Sequence, residues 1–385
     1  MIGRAATTRG VRAAGGKQPE VIVCAGGGGV GKTTTAAALA LALARRGKKT
    51  LVVTVDPARR LADAMETAIG STPQRVALPA DVPGELYALM PDPREAMRTF
   101  VEHLFEGQAP ALTRLVANPI YAAMADAAAG VHELVSVMLV ARAVDDIPLD
   151  CVVVDTAPSR YALDLVSYPG QLAALFEGRA VAWFGSLAQR AGEDADDKRV
   201  AQASAGAGSA VIAWGRRRVE GALGRVLGVR AITDVANLFI ELARVRERFA
   251  LLARQAEELL LGEATEFVLV AAPTGSAAAD LLYLARKLEF LHRHPTAVLL
   301  NRADEGAPAW VTEVRDHPSA TPALIAAIRQ LEEERTARTR AADALVDEVR
   351  RKMPAVRQHR LPTIAADHPA AIVRALAEHL AAFGE

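Results

Sequence analysis

Apolar positions along the chain follow two rhythms. Short unbroken runs occupy residues 20–25, 50–55, 151–154, 266–272 and 296–301. Runs of this length bounded by turn residues read as strands of a sheet covered on both faces. The first run ends in four glycines, and residues 31–46 follow, rich in Ala and Leu and stopped by Gly47, which reads as a helix. The second run ends at Asp56-Pro57 and the third at Asp155. Strand, glycine loop, helix and strand open a parallel α/β sheet.

The second rhythm is helical. Met97, Phe100, Val101, Leu104 and Phe105 recur at helical spacing. So do Val131, Leu134, Val135, Met138 and Leu139, and later Val235, Leu238, Phe239, Leu242, Val245, Phe249 and Leu252. The stretch between Asp56 and the third strand therefore reads as mostly helical. Residues 191–210 are small and polar and read as a mobile loop. Residues 323–352 form a charged amphipathic helix or a pair of them, 358–362 a last strand, and 369–382 a last helix. No internal repeat is visible. The pattern predicts a tail over 1–19 that is disordered. A single α/β domain over 20–385 follows, with helical insertions at about 94–147 and 170–260. The fold class is α/β, a mostly parallel central sheet flanked by helices, with a helical subdomain formed by the insertions. Those insertions either cover the sheet or form a binding groove, because periodicity alone does not separate a core face from a binding face.

Composition narrows the function. The 385 residues are 51% hydrophobic, enough for a large core, and only 4% aromatic, so Ala and Leu fill apolar positions. Lys and Arg total 45 against 45 Asp and Glu, a balance that argues against nucleic-acid binding. Cys24 and Cys151 each lie in an apolar strand and read as small core hydrophobes, which fits a reducing cytoplasm. No run reaches the roughly 18 apolar residues of a membrane span. The first residues carry Arg4, Arg9, Arg12 and Lys17 without an apolar segment, unlike a secretory signal. Arg216-Arg217-Arg218 reads as a solvated helix face, and His292 and His294 as surface residues.

Candidate chemistry concentrates in one loop. Gly26-Gly27-Gly28-Gly29-Val30-Gly31-Lys32-Thr33 fits G-x-x-x-x-G-K-[ST] and lies between a strand and a helix, as its mechanism requires. Glycines let successive N–H groups point at phosphate oxygens, and the helix that follows presents its positive end. Lys32 supplies charge for the β- and γ-phosphates, and the Thr33 hydroxyl suits Mg²⁺. Thr34 continues the helix beside them. Asp155, ending a strand, suits Mg²⁺ directly or through water, and Asp56 is placed to orient or deprotonate an attacking water.

Three blocks together resemble the ArsA-type ATPases, which include the ATPase that targets tail-anchored membrane proteins and which group with MinD and ParA. These are Gly28 to Thr34, the segment Asp56-Pro57-Ala58-Arg59-Arg60-Leu61-Ala62-Asp63-Ala64, and Asp155-Thr156-Ala157-Pro158. They are similar to that family's phosphate loop and its first and second switches. The resemblance implies an ATP-hydrolysing dimeric switch using ATP and Mg²⁺. Asp56 would position water, Asp155 would act through the metal, and Asn301 and Pro362 would lie at adenine. It also implies a helical lobe that holds a hydrophobic client helix, and a cytoplasmic protein that reaches the membrane only through a partner. Asn301-Arg302-Ala303-Asp304 partly imitates a guanine-reading Asn-Lys-x-Asp.

The chain departs from the family at Gly27, where the deviant Walker motif has a lysine that reaches the partner's nucleotide. Arg59 and Lys17 are the available substitutes within the chain, and a lysine-bearing paralogue in a heterodimer is another. A homodimer with sluggish hydrolysis explains the same residue. The Cys-x-x-Cys that clamps the eukaryotic homodimer is missing, as are thiols for arsenite. Two alternatives stand beside the client-handling switch: the ATPase of an anion or metalloid extrusion system, and a non-catalytic nucleotide-binding subunit of a heterodimer.

Overall fold

A computed structural model of the protein describes residues 18–55, 60–122, 129–156, 234–235, 237–304 and 309–383. The described residues fall into two compact units. One comprises those within Met1–Pro93, Leu139–Ser167 and Gln255–Glu385, and the other those within Arg94–Met138 and Tyr168–Arg254.

The first unit holds the sheet. Its strands are β1 (Glu20–Gly26), β2 (Lys49–Thr54), β3 (Gln74–Arg75), β4 (Glu85–Leu89), β5 (Cys151–Asp155), β6 (Thr265–Ala271), β7 (Pro295–Leu300) and β8 (Arg357–Arg360). They lie in the order β3-β4-β2-β5-β1-β6-β7-β8. Every pair is parallel except β3 with β4. The chain leaves β1 toward β2 on one side and later places β6 on the other. The C-terminal end of β1 is thus the switch point, where open α/β sheets bind ligands.

Helix α1 (Lys32–Arg45) explains its own composition. All but two of its residues are buried. A helix apolar all round is an interior helix, and alanine lets its neighbours approach closely. It packs between the sheet, α2 (Arg60–Met65) and the C-terminal helix (Pro369–His379). Strands β3 and β4 differ from the helical reading of residues after Asp56. Glu85–Leu89 pairs with β2, but only Leu86, Ala88 and Leu89 are buried, too short a pattern to stand out in the sequence. The remaining helices of this unit include one from Ala277 to Phe290, another from Ala309 to Arg315 and a long one from Pro322 to Lys352. The long helix starts on Thr321, whose side chain accepts from the Leu324 amide, and ends on Arg350, Arg351 and Lys352, which suit the negative helix end.

The second unit is helical, with α3 (Pro93–Leu104) and α4 (Ala109–Val116) described within it. Helix α5 (Ala129–Asp146) and α6 (Arg246–Leu261) each run from one unit's residues into the other's. The periodic apolar residues leave water together: Phe100, Val101, Leu104, Phe105, Leu238, Val245 and Phe249 are all buried, and the Phe100 and Phe249 rings meet edge to face at 6.2 Å. Buried Glu241 accepts both Nε and Nη2 of Arg114, at 2.6 and 3.2 Å. Arg248 donates to the carbonyls of His103, Leu104 and Glu106 at the end of α3. This apolar stripe is the unit's own core. No helix among the described residues is long and apolar enough to cross a membrane. Residues 191–210, Arg216-Arg217-Arg218 and nearly all of the tail over 1–19 lie outside the described residues.

Continuing the numbering, the helices from Ala277, Ala309, Pro322 and Pro369 are α7, α8, α9 and α10.

Candidate functional site

The glycine loop leaves β1 and enters α1 through two positions that only glycine fills. A Cβ on Gly26 would run into the Val270 carbonyl of β6. Gly31, the N-cap of α1, has φ 88°, and a Cβ there would collide with the Asn301 amide nitrogen. Gly28 and Gly29 face open space. The Lys32 ammonium, largely buried, donates to the Gly27 carbonyl at 2.8 Å. The lysine thus folds over its own loop, with its charge beside the backbone that phosphate would meet. Thr34 is half-buried one residue beyond Thr33 on the first turn of α1.

Asp155 has no exposed surface. The parallel register sets it beside Cys24 of β1 and Thr54 of β2. One carboxylate oxygen, Oδ2, accepts from Thr33 Oγ1 at 2.6 Å and from Thr54 Oγ1 at 2.9 Å. The next residue, Thr156, donates its hydroxyl to the Cys24 carbonyl at 2.9 Å. Thr33 and Asp155 are hard oxygen donors in contact at the end of the phosphate loop, a donor set that fits Mg²⁺. The glycine cradle fits phosphate because Gly28 and Gly29 face open space, so a phosphate can approach their backbone closely. Burial, with help from the Asp155 carboxylate, drives the Cys24 thiol far above its usual range, and burial pushes Cys151 up to about 12. Both thiols are free and fully buried, as expected for core residues.

Asn301 sits at the end of β7 and is buried. Its Nδ2 donates to the Val30 carbonyl of the phosphate loop at 2.9 Å, and its Oδ1 accepts from the Arg302 amide at 3.0 Å. Arg302 is in the left-handed region at φ 56°. Asn301 therefore braces the loop. Asp304 is also committed within the protein: it accepts the Thr363 amide and hydroxyl, each at 2.9 Å, and Arg335 at 3.5 Å. These bonds, with the Leu361 amide on the Leu300 carbonyl, set Pro362 at the same edge of the sheet. Asp56, Pro57, Ala58 and Arg59 lie outside the described residues, as do Lys17 and Ala157-Pro158.

Thr54 and Asp280 were not singled out by sequence reasoning. Thr54 ends an ordinary β-branched run, and nothing local marks it; only the register with Asp155 does. Asp280 lies on the first turn of α7, and a Cβ at Gly27 would stand 3.3 Å from its Oδ2. A carboxylate thus occupies the neighbourhood where the family's lysine would emerge.

Comparison with known proteins gives one consistent result. Residues 19–193 match the ArsA ATPase family model, described as anion-transporting ATPase. A relative named ATPase ASNA1 homolog 1 from Paramecium tetraurelia is 28% identical over 131 residues, covering 34% of this chain and 38% of that protein. The ATPase get3 of Schizosaccharomyces japonicus is 32% identical over 136 residues, with the same two shares. The ATPase get3 of Schizosaccharomyces pombe is 30% identical over 159 residues, 40% of this chain and 43% of that protein. The chain spans about two fifths of the length of these curated relatives. The matched segment contains the phosphate loop and Asp155, the two features that the fold brings into contact, and over that segment the chain is similar to the ArsA-type ATPases.

Proposed function

We propose that the protein binds Mg-ATP at the loop Gly26–Thr34 and hydrolyses it as an ArsA-type dimeric switch. The observation that carries this reading is the 2.6 Å contact of Thr33 with buried Asp155 beside a lysine folded over a glycine cradle. Bound Mg²⁺ would neutralise charge on the transferring phosphoryl group. The chain's own residues do the rest. Backbone amides of Gly28 to Thr34 hold the phosphates, with the positive end of α1 behind them. Lys32 exchanges the Gly27 carbonyl for a phosphate oxygen and places its charge where negative charge develops. Thr33 and Asp155 would hold the metal, and Thr54 fixes the Asp155 carboxylate from the neighbouring strand. Asp56 orients the attacking water. Asn301 and Pro362 lie beside the base. With Asp304 engaged by Thr363 and Arg335, adenine is favoured over guanine.

In this reading residues 20–385 form one α/β domain with helical insertions at about 94–147 and 170–260, and the protein acts in the cytoplasm. ATP-driven closing and opening of the dimer moves the helical unit, which handles a hydrophobic segment of a membrane protein. The buried thiols speak against a metalloid-extrusion ATPase. The carboxylate of Asp280 next to Gly27 favours a second subunit type, a heterodimer with a lysine-bearing paralogue.

The test compares two variants of the purified chain. Lys32→Ala is expected to abolish turnover and weaken ATP binding strongly. Asp56→Asn is expected to keep ATP binding and slow hydrolysis, because only water positioning is lost. Unchanged binding and turnover in Lys32→Ala would overturn the assignment of the loop.

A further inference from the structure

A second cavity, away from the phosphate loop, is built into the opposite end of α1. It has a volume of about 190 Å³ and lies entirely within the sheet-bearing unit. Its floor is apolar and buried, formed by Leu41 of α1, Met65 of α2, Leu86 of β4 and Val373 of α10. Its rim carries Arg45, Arg374 and Glu66. Protein interiors close-pack and leave few voids larger than a water molecule. An apolar cavity of about 150 Å³ admits benzene, so this one takes a ring with a short arm.

The rim chemistry specifies the arm. Arg45 is held by long contacts only: 3.5 Å to the Arg374 carbonyl and 3.9 Å to Glu378. Arg374 reaches Glu66 at 3.5 Å. Glu66 and Glu378 are each more than half exposed, so these pairs hold the guanidinium groups weakly. A carboxylate entering over the apolar floor meets two guanidinium forks, whose geometry matches it better than a water or an exposed glutamate does. Glu66 on the same rim opposes a dianion. Shape, apolar floor and rim charge together select a monoanion with a compact apolar body.

We propose that this cavity is a binding site for small aromatic or branched aliphatic monocarboxylates, and that its occupancy changes nucleotide affinity. The second half rests on the reading of Gly26–Thr34 as the nucleotide loop. Its basis is connectivity: one wall, α1, starts at Lys32 and Thr33, and the other, α2, starts directly after the segment that holds Asp56. A ligand wedged between Leu41 and Met65 has differential contacts with any arrangement in which those two helices move relative to each other, which is the requirement for coupling.

Phenylacetate is the probe, titrated into the full chain without nucleotide and followed by calorimetry, with phenylethanol as its neutral analogue. Saturable binding of one phenylacetate is expected, with phenylethanol weaker by roughly tenfold, the scale of one lost charge-assisted interaction. The double variant Arg45→Gln, Arg374→Gln is expected to lose a similar factor for phenylacetate and nothing for phenylethanol. Ala64→Met, which fills the cavity from α2, is expected to abolish both. Should Ala64→Met fail to fold, the arginine pair, both partly exposed, carries the test. Absence of saturable binding, or affinity unchanged in the arginine variant, would overturn the site. A second titration measures a fluorescent ATP analogue with and without saturating phenylacetate. Unchanged analogue affinity while phenylacetate binds would overturn the coupling and leave the site standing. Loss of analogue binding in every condition would fault the nucleotide reading and leave the first titration intact.

Discussion

At the scale of single residues, the site is assembled from side chains that hold one another. Asn301 is the clearest case, because its amide spans from β7 to the phosphate loop and to the Arg302 backbone. Removing it leaves the Val30 carbonyl without that donor in a buried setting, which costs about 1–3 kcal/mol. Asn301→Ala is therefore expected to lower thermal stability and to weaken ATP and GTP alike, by similar factors in a competition titration. A loss confined to ATP would mean that adenine reading outweighs bracing. Gly27 makes a second case. Its Cβ position meets the Asp280 carboxylate, a flexible neighbour, at 3.3 Å and the Val30 side chain at an ordinary 3.8 Å. Gly27→Lys is expected to fold, with the new ammonium close to Asp280. If trans charge limits hydrolysis, turnover rises. If Asp280 instead captures the lysine in cis, turnover rises only in the Gly27→Lys, Asp280→Asn double variant. No gain in either variant removes missing charge as the reason for slow hydrolysis.

At the scale of elements, the edge strand β8 and the chain end that packs on it form a pH-sensitive joint. His359 of β8 lies against Phe383, with ring centroids 5.1 Å apart, and Arg357 stacks on the same ring. Burial, and then the Arg357 charge, lower the His359 pKa below its ordinary 6.5. The folded state thus prefers neutral imidazole. As pH falls below 6.5 the unfolded chain takes up the proton first. The stability present above that value is lost progressively until pH passes the folded pKa. His359→Gln is expected to flatten the dependence of Tm on pH below 6.5 while leaving Tm at neutral pH little changed. An identical acid-side slope in the variant would show that other groups control the transition. The cavity between α1, α2 and α10 belongs to this scale too, because it exists only where three helices meet β4.

At the scale of the whole molecule, the proposed dimer raises the question of which subunit supplies positive charge to which nucleotide. Two nucleotides at one dimer interface each need charge to offset the transferring phosphoryl group. A homodimer of this chain has no lysine at position 27 on either side. A heterodimer with a lysine-bearing paralogue would deliver that lysine to the nucleotide held by this chain's own loop. Turnover of the purified chain is therefore expected to be slow alone and to rise on addition of the paralogue, with this chain's nucleotide the one consumed. Arg59 offers a competing source in cis or across a homodimer. Full turnover by the homodimer that survives Arg59→Ala would refute both arrangements. The mass of the complex formed with a non-hydrolysable ATP analogue reads the assembly directly.

Local chemistry made much of this protein legible from its residues. The glycine string, the lysine and threonine after it, the β-branched runs that end at Asp155 and Asn301, and the Ala-rich helix between strands all carry their meaning within a few positions. Backbone pairing and helical or strand period are local properties, and so these elements could be read in order. The contacts that make a site are not local. Thr54 meets Asp155 across 101 positions and Asn301 meets the Val30 carbonyl across 271. Both depend on the strand order around β1, and that order is chosen by how all the apolar faces are buried at once. The stripe from Val235 to Leu252 shows the same limit from the other side. Its period announces an apolar face, and only the burial of Leu238, Val245 and Phe249, with Phe249 meeting Phe100, makes it a core. Periodicity reports that a surface must leave water; which surface receives it is decided by the tertiary structure, because hydrophobic burial is non-directional and takes whatever partner the completed fold presents.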